Sequence, residues 1–180
     1  PPTRNPPKSA TLMPLTQGYP YVKPPNRIII MGVSGAGKTT VGRLLADRIG
    51  GLFIDGDDLH PQTNVEKMKQ GVALSDADRW PWLDKVAKVI QEHGDTKPLI
   101  VACSTLRRSY RRRLGDNFHL VYLKGTSTEI ARRLQDRHDH FMPMSLLESQ
   151  FEALEEPNNA LVLDLDQPPH AIAEKIVQAL

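Results

Sequence analysis

The sequence predicts an α/β domain in which a mostly parallel sheet is covered by helices on both faces. Three observations point there. Short apolar runs recur along the chain, stretches of helical spacing separate them, and a glycine-rich loop joins the first run to the first helix. Runs that are apolar without alternation belong to strands buried on both faces, which crossover connections produce.

Ile28-Ile29-Ile30-Met31 is the first such strand. Val41, Leu44, Leu45 and Ile49 follow at helical spacing, and Gly50-Gly51 stop that helix. Leu52-Phe53-Ile54 reads as the second strand. A short helix is expected over 64–70, closed by Gly71. A longer one, capped by Asp76, carries Leu83, Val86 and Ile90 on one face and ends at Gly94. Of Trp80 and Trp82, one is expected in the core. The third strand spans 98–103 and leads into a basic helix over 106–114. The fourth covers 118–123. Thr126-x-x-Glu129 and Ser145-x-x-Glu148 both have the capping-box pattern ahead of helical stretches. Leu161-Val162-Leu163 is the fifth strand, and a helix over 171–180 closes the chain with Ile172, Ile176 and Leu180 on its buried side.

With 180 residues, 39% hydrophobic and 24% charged, the chain suits one soluble globular domain. A formal net charge of +2 supplies no global field for nucleic acid or an anionic membrane, and no apolar run approaches the ~20 residues that span a bilayer. Cys103 is the single cysteine, which rules out an intrachain disulfide and directs the reading to a reducing cytoplasm. Pro1, Pro2, Pro6, Pro7, Pro14, Pro20, Pro24 and Pro25 crowd the first 26 residues among few aliphatics. Such a segment cannot offset its ordering entropy by burial, so 1–26 reads as a mobile proline-rich tail and 27–180 as the domain. The basic run 107–113 has one stacking aromatic, Tyr110, and reads as a solvated helix face rather than an RNA-binding element.

Gly32-Val33-Ser34-Gly35-Ala36-Gly37-Lys38-Thr39 matches G-x-x-x-x-G-K-[ST] in full, and it follows an apolar strand and opens an amphipathic helix. This is the phosphate loop of the P-loop NTPase fold. Its amides point inward at phosphate oxygens, the helix N-terminus adds partial positive charge, and Lys38 brings a full charge to the β- and γ-phosphates. Thr39 offers a hydroxyl to Mg²⁺, and Thr40 completes the ATP-binding set. The loop establishes nucleoside triphosphate use without saying where the γ-phosphate goes.

The second strand runs into Asp55-Gly56-Asp57-Asp58-Leu59-His60. Carboxylates at the carboxyl end of a parallel strand face the crevice where ligands bind. One of Asp55 and Asp57 can support Mg²⁺ through water, and the other can orient a substrate hydroxyl for in-line attack. Ser104 stands at the same edge of the sheet, within reach of the acceptor or of metal-bound water.

Met31 to Lys38 followed by Asp55-Gly56-Asp57-x-Leu59-His60-Pro61 resembles the gluconokinase family. The likeness continues through Asn64-x-Glu66-Lys67-Met68, Gly71-x-x-Leu74-x-Asp76-x-Asp78-Arg79-x-Pro81-Trp82-Leu83, Tyr122-Leu123-Lys124-Gly125, His140-Phe141-Met142 and Ser149-Gln150-Phe151. The resemblance implies an adenylate- or shikimate-kinase-like fold with a five-stranded parallel sheet and a mobile lid at about 126–150. It implies transfer of phosphate from ATP to D-gluconate, and it leaves a homodimer open; Thr39 and Asp55 are the candidate Mg²⁺ residues. Asp57 would hold the sugar-acid hydroxyls, His60 and Arg79 would frame the pocket, Lys124 would face the same side, and Arg137 and His140 would lie in the lid. Uniting two anions calls for fixed cations. Arg79 is a planar fork suited to a carboxylate, and Arg137 is placed to close over the transferring phosphoryl group like an arginine finger. Shikimate kinases resemble the chain in the loop and the Asp-x-Asp strand end and are the alternative, although no Gly-Gly-Gly pocket segment is present.

Overall fold

A computed structural model describes residues 26–94, 96–136 and 144–180. Residues 1–25 of the expected 1–26 tail lie outside the described residues, as does the centre of the expected lid over 137–143, with Arg137 and His140.

Five strands form one sheet: β1 (Arg27–Met31), β2 (Leu52–Asp55), β3 (Leu99–Ala102), β4 (His119–Lys124) and β5 (Leu161–Asp164). Their order is β2-β3-β1-β4-β5, and every neighbouring pair is parallel. The central strand β1 is apolar throughout its buried length because both of its faces are covered. Alternation along it divides the core in two. Ile28 and Ile30 face α1 (Lys38–Ile49) and α7 (Pro169–Ala179), meeting Val41, Leu45, Ile172 and Ile176. Ile29 and Met31 face α3 (Asp76–Glu92) and α4 (Arg108–Leu114), meeting Trp82, Leu83, Val86 and Tyr110. Each fully buried side chain of this size contributes about 1.5–3 kcal/mol as an upper estimate.

The remaining helices are α2 (Gln62–Lys69), α5 (Ser127–Gln135) and α6 (Met144–Ala153). The Gly50 stop and the Thr126 to Glu129 capping box occur as expected. Two expected caps do not. Asp76 is the first residue inside α3, and Ser75 is its cap: the Ser75 hydroxyl accepts the Asp78 N–H, and the Asp78 carboxylate accepts the Ser75 N–H. Ser145 already lies within α6, so its pattern match caps nothing. The basic helix starts late, at Arg108, because Thr105 with φ 37° turns the chain out of β3 before a helix can form.

Candidate active site

The carboxyl edge of the sheet gathers the ends of β1, β2, β3 and β4. From β1 the chain enters the glycine-rich loop, and Gly37 ends it as the N-cap of α1 with φ 91°, a left-handed conformation that favours glycine. No side chain caps α1, so its first amides stay available to an anion. Lys38 is 8% exposed and is the one buried cation among the described residues. Its Nζ donates to the Val33 carbonyl at 3.1 Å, which folds the ammonium back over the loop.

Thr39 Oγ1 donates to Asp55 Oδ2 at 2.7 Å. The other oxygen of Asp55 accepts the Asp57 N–H at 3.1 Å, which starts a single 3-10 turn over Gly56–Leu59. Asp57 itself is exposed on that turn. Gly56 is pressed against the end of β3: a Cβ there would sit 2.6 Å from the Ala102 carbonyl oxygen. On its other side Trp82 Nε1 donates to the Gly56 carbonyl at 2.7 Å.

Trp82 also carries His60, whose ring stacks on the indole at 4.1 Å and 17°. Asn64, buried to 2% exposure, donates through Nδ2 to the Asp78 carbonyl at 2.8 Å, which identifies that atom as the nitrogen. Its second Nδ2 hydrogen therefore serves His60 Nδ1 at 3.2 Å, and the imidazole proton is left on Nε2. Burial lowers the His60 pKa; Asp57 opposes that, and Arg79 and Lys85 add to it. The neutral ring thus presents an Nε2–H donor. Lys67 and the Ser75 cap hold the Asp78 carboxyl down to about 2.

Arg79 is engaged on one nitrogen, Nη1, which donates to the Leu74 carbonyl at 2.5 Å and to Tyr110 Oη at 3.3 Å. Tyr110 donates in turn to Asp76 at 2.5 Å, and Arg107 reaches the other Asp76 oxygen at 3.0 Å. Asp76 forms a long ion pair with Arg79 Nη1 at 4.0 Å, and Asp78 is taken by Lys67, so no carboxylate hydrogen-bonds the guanidinium among the described residues. Lys124, the last residue of β4, pairs with Glu156 at 2.9 Å. Ser104 is half-buried just beyond β3. Cys103 is fully buried, and burial pushes its thiol pKa up, which keeps it protonated and inert.

Gln150 of α6 was not among the expected site residues, yet it bonds the phosphate loop. Its Oε1 accepts the Ser34 N–H at 2.7 Å, and its Nε2 donates to Ser34 Oγ at 3.0 Å. Leu134 and Ile130 of α5 close over Gly35, where a Cβ would meet Leu134 Cγ at 2.9 Å. Asn64 was missed as well, although a lone Asn on the inner side of a short helix is a usable sign.

Three sets of polar groups therefore lie at one edge: the loop amides with Lys38, the oxygens of Thr39 and Asp55, and the side chains of Asp57, His60 and Arg79. Among the described residues no three His, Cys, Asp or Glu side chains cluster into a metal cage. A hydroxyl beside one carboxylate suits Mg²⁺, which keeps waters and takes its other ligands from substrate phosphates. No described helix is long and apolar enough to cross a membrane.

A family model described as shikimate kinase matches residues 34–180. The thermosensitive gluconokinase of Escherichia coli (strain K12) is 40% identical over 160 residues, covering 84% of this chain and 86% of that one. The gluconokinase of Gluconobacter oxydans (strain 621H) is 42% identical over 165 residues, covering 86% and 90%. The crystal structure of a gluconokinase from Sinorhizobium meliloti 1021 superposes with a TM-score of 0.78 at 40% identity, over 86% of this chain and 90% of that one.

Proposed function

The chain belongs to the shikimate kinase family in the breadth of that model and, within it, to the gluconokinases, and on that premise we propose that it transfers the γ-phosphoryl group of ATP to a hydroxyl of D-gluconate, giving 6-phospho-D-gluconate and ADP. The observation that carries this reading is the 2.7 Å bond from Thr39 to Asp55, which ties the phosphate side to the strand end bearing the acceptor-side carboxylates.

In this reading the loop from Gly32 to Thr40 cradles the triphosphate, and Lys38 stabilises the charge that gathers on the γ-phosphoryl oxygens. Asp57 accepts the hydrogen bond of the attacking hydroxyl and aligns it with the phosphorus. His60 donates from Nε2, and Arg79 offers the nitrogens not engaged by Leu74 and Tyr110 to the sugar-acid carboxylate. Lys124 and Ser104 border the same crevice, and Lys124 must exchange Glu156 for substrate if it takes part. Thr39 and Asp55 would hold Mg²⁺, which supplies neutralisation of the β- and γ-phosphate charge when bound. Arg137 and His140 are assigned to the closing lid. The single, buried Cys103 suits a reducing compartment, and the reaction is assigned to the cytoplasm.

A coupled assay of ADP release across D-gluconate, shikimate and nucleoside monophosphates tests the assignment. Turnover with gluconate alone supports it. Turnover with shikimate and none with gluconate would overturn it.

A further inference from the structure

Gln150 spends both ends of its amide on one residue of the phosphate loop. The orientation of that amide is not arbitrary. A backbone N–H can only donate, so the atom 2.7 Å from Ser34 N is the amide oxygen, and the atom 3.0 Å from Ser34 Oγ is the amide nitrogen. Two consequences follow for Ser34. Its N–H is occupied and cannot serve a phosphate. Its hydroxyl oxygen is an acceptor for Gln150, so the hydroxyl proton must point elsewhere, and no described residue accepts it.

Ser34 is the third residue of the eight-residue loop whose motif cradles the phosphates of a bound nucleotide. We propose that Gln150 is a positioning residue for phosphoryl transfer: it turns the Ser34 hydroxyl into a hydrogen-bond donor aimed at the γ-phosphoryl group. The contact joins α6 to the loop across 116 positions of sequence, and α6 lies largely within the stretch expected as the lid, about 126–150. Gln150 therefore links α6 to the donor phosphate. The inference rests on the reading of the site as an ATP-dependent kinase, and its test is made first on nucleotide binding, without gluconate.

Calorimetric titration with AMPPNP and with ADP, on wild type, Ser34→Ala, Gln150→Met and the double variant, isolates a donor to the γ-phosphate. Both single variants should bind ADP as wild type does and AMPPNP about fivefold more weakly, near the net worth of one ordinary hydrogen bond. With gluconate, each single variant should lower kcat about tenfold, or 1.4 kcal/mol in the barrier, at unchanged KM for gluconate. Because the two residues act as one unit, the double variant should be no worse than the poorer single. Multiplicative losses, tighter nucleotide binding by Gln150→Met, or equal losses for ADP and AMPPNP would each overturn the proposal. Should Gln150→Met fail to fold, Ser34→Ala alone decides, since wild-type AMPPNP-to-ADP discrimination in it removes the hydroxyl from the γ-site. A wild type that binds nucleotide in this way yet ignores gluconate would unseat the acceptor assignment and leave the Gln150 result standing.

Discussion

Thr39 and Asp55 come from different elements, the first turn of α1 and the last residue of β2, and meet through a 2.7 Å hydrogen bond from hydroxyl to carboxylate. The pair assembles the two hard oxygens without help from a ligand. Thr39→Val keeps the shape and removes the oxygen. It should lower turnover on the order of 10²–10³-fold and raise the Mg²⁺ concentration needed for half-maximal rate. Stability should fall by only about 1 kcal/mol, the net worth of one hydrogen bond. Steady-state rates across a Mg²⁺ series, with a urea melt beside them, separate the two effects. An unchanged Mg²⁺ requirement would remove Thr39 from the metal.

Lys38 is buried against a carbonyl, with no ion pair to a carboxylate among the described residues. A desolvated ammonium without an anion costs stability, which makes sense only if phosphate later supplies the charge. Lys38→Met should therefore melt at or above the wild-type temperature while turnover falls on the order of 10²–10³-fold. A thermal melt and a rate measurement decide this together. A variant that is both less stable and still active would show that Lys38 serves packing rather than phosphate.

The five strands and the loop were legible because their signals are local: Ile28 to Met31 is apolar without a break, and every position of the loop motif lies within eight residues of sequence. The position of Asp55 and Asp57 at the end of β2 was legible for the same reason. What sequence reasoning missed is non-local or geometrically ambiguous. Ser75 and Asp76 are both good caps, and the choice was made by Asp78, which closes the box with a shorter side chain than the usual Glu. Ser34 and Gln150 are 116 positions apart, and nothing in the spacing of α6 marks Gln150 as a loop partner. Arg79 was expected as a planar fork for a carboxylate, yet the Leu74 carbonyl and Tyr110 engage one of its nitrogens, and the Tyr110 contact arises only from the packing of α3 on α4.

His60 titrates against the fold. Its pKa in the folded chain lies below the 6.5 of an unperturbed imidazole, chiefly because burial disfavours the charged ring. The unfolded chain therefore takes up the proton first as pH falls. Stability is full above pH 6.5 and declines from there down to the lowered folded value, below which this contribution is flat. Urea unfolding from pH 8 to 5 should show the decline in wild type and a shallower one in His60→Gln, which keeps the other histidines. Equal slopes would mean that His60 is not the group responsible.

Gly56 holds the acceptor-side turn at a fixed depth. Any Cβ there would meet the Ala102 carbonyl at 2.6 Å, and the obstacle is backbone of β3, which cannot swing aside as a side chain would. Gly56→Ala must therefore push the turn outward, carrying Asp57 with it. A shift near 1 Å at an orienting group costs on the order of 10²-fold in rate, and the overpacking costs about 1–3 kcal/mol in stability. Trp82→Phe supplies the contrast. It leaves the Gly56 carbonyl without its Nε1–H donor, a loss of about 1–3 kcal/mol, but introduces no clash that moves the turn. The two variants should thus be similarly destabilised and differ sharply in kcat, with Gly56→Ala far the slower. Urea unfolding and steady-state kinetics on both provide the check. Equal kcat values in the two would separate the depth of the turn from the alignment of the hydroxyl.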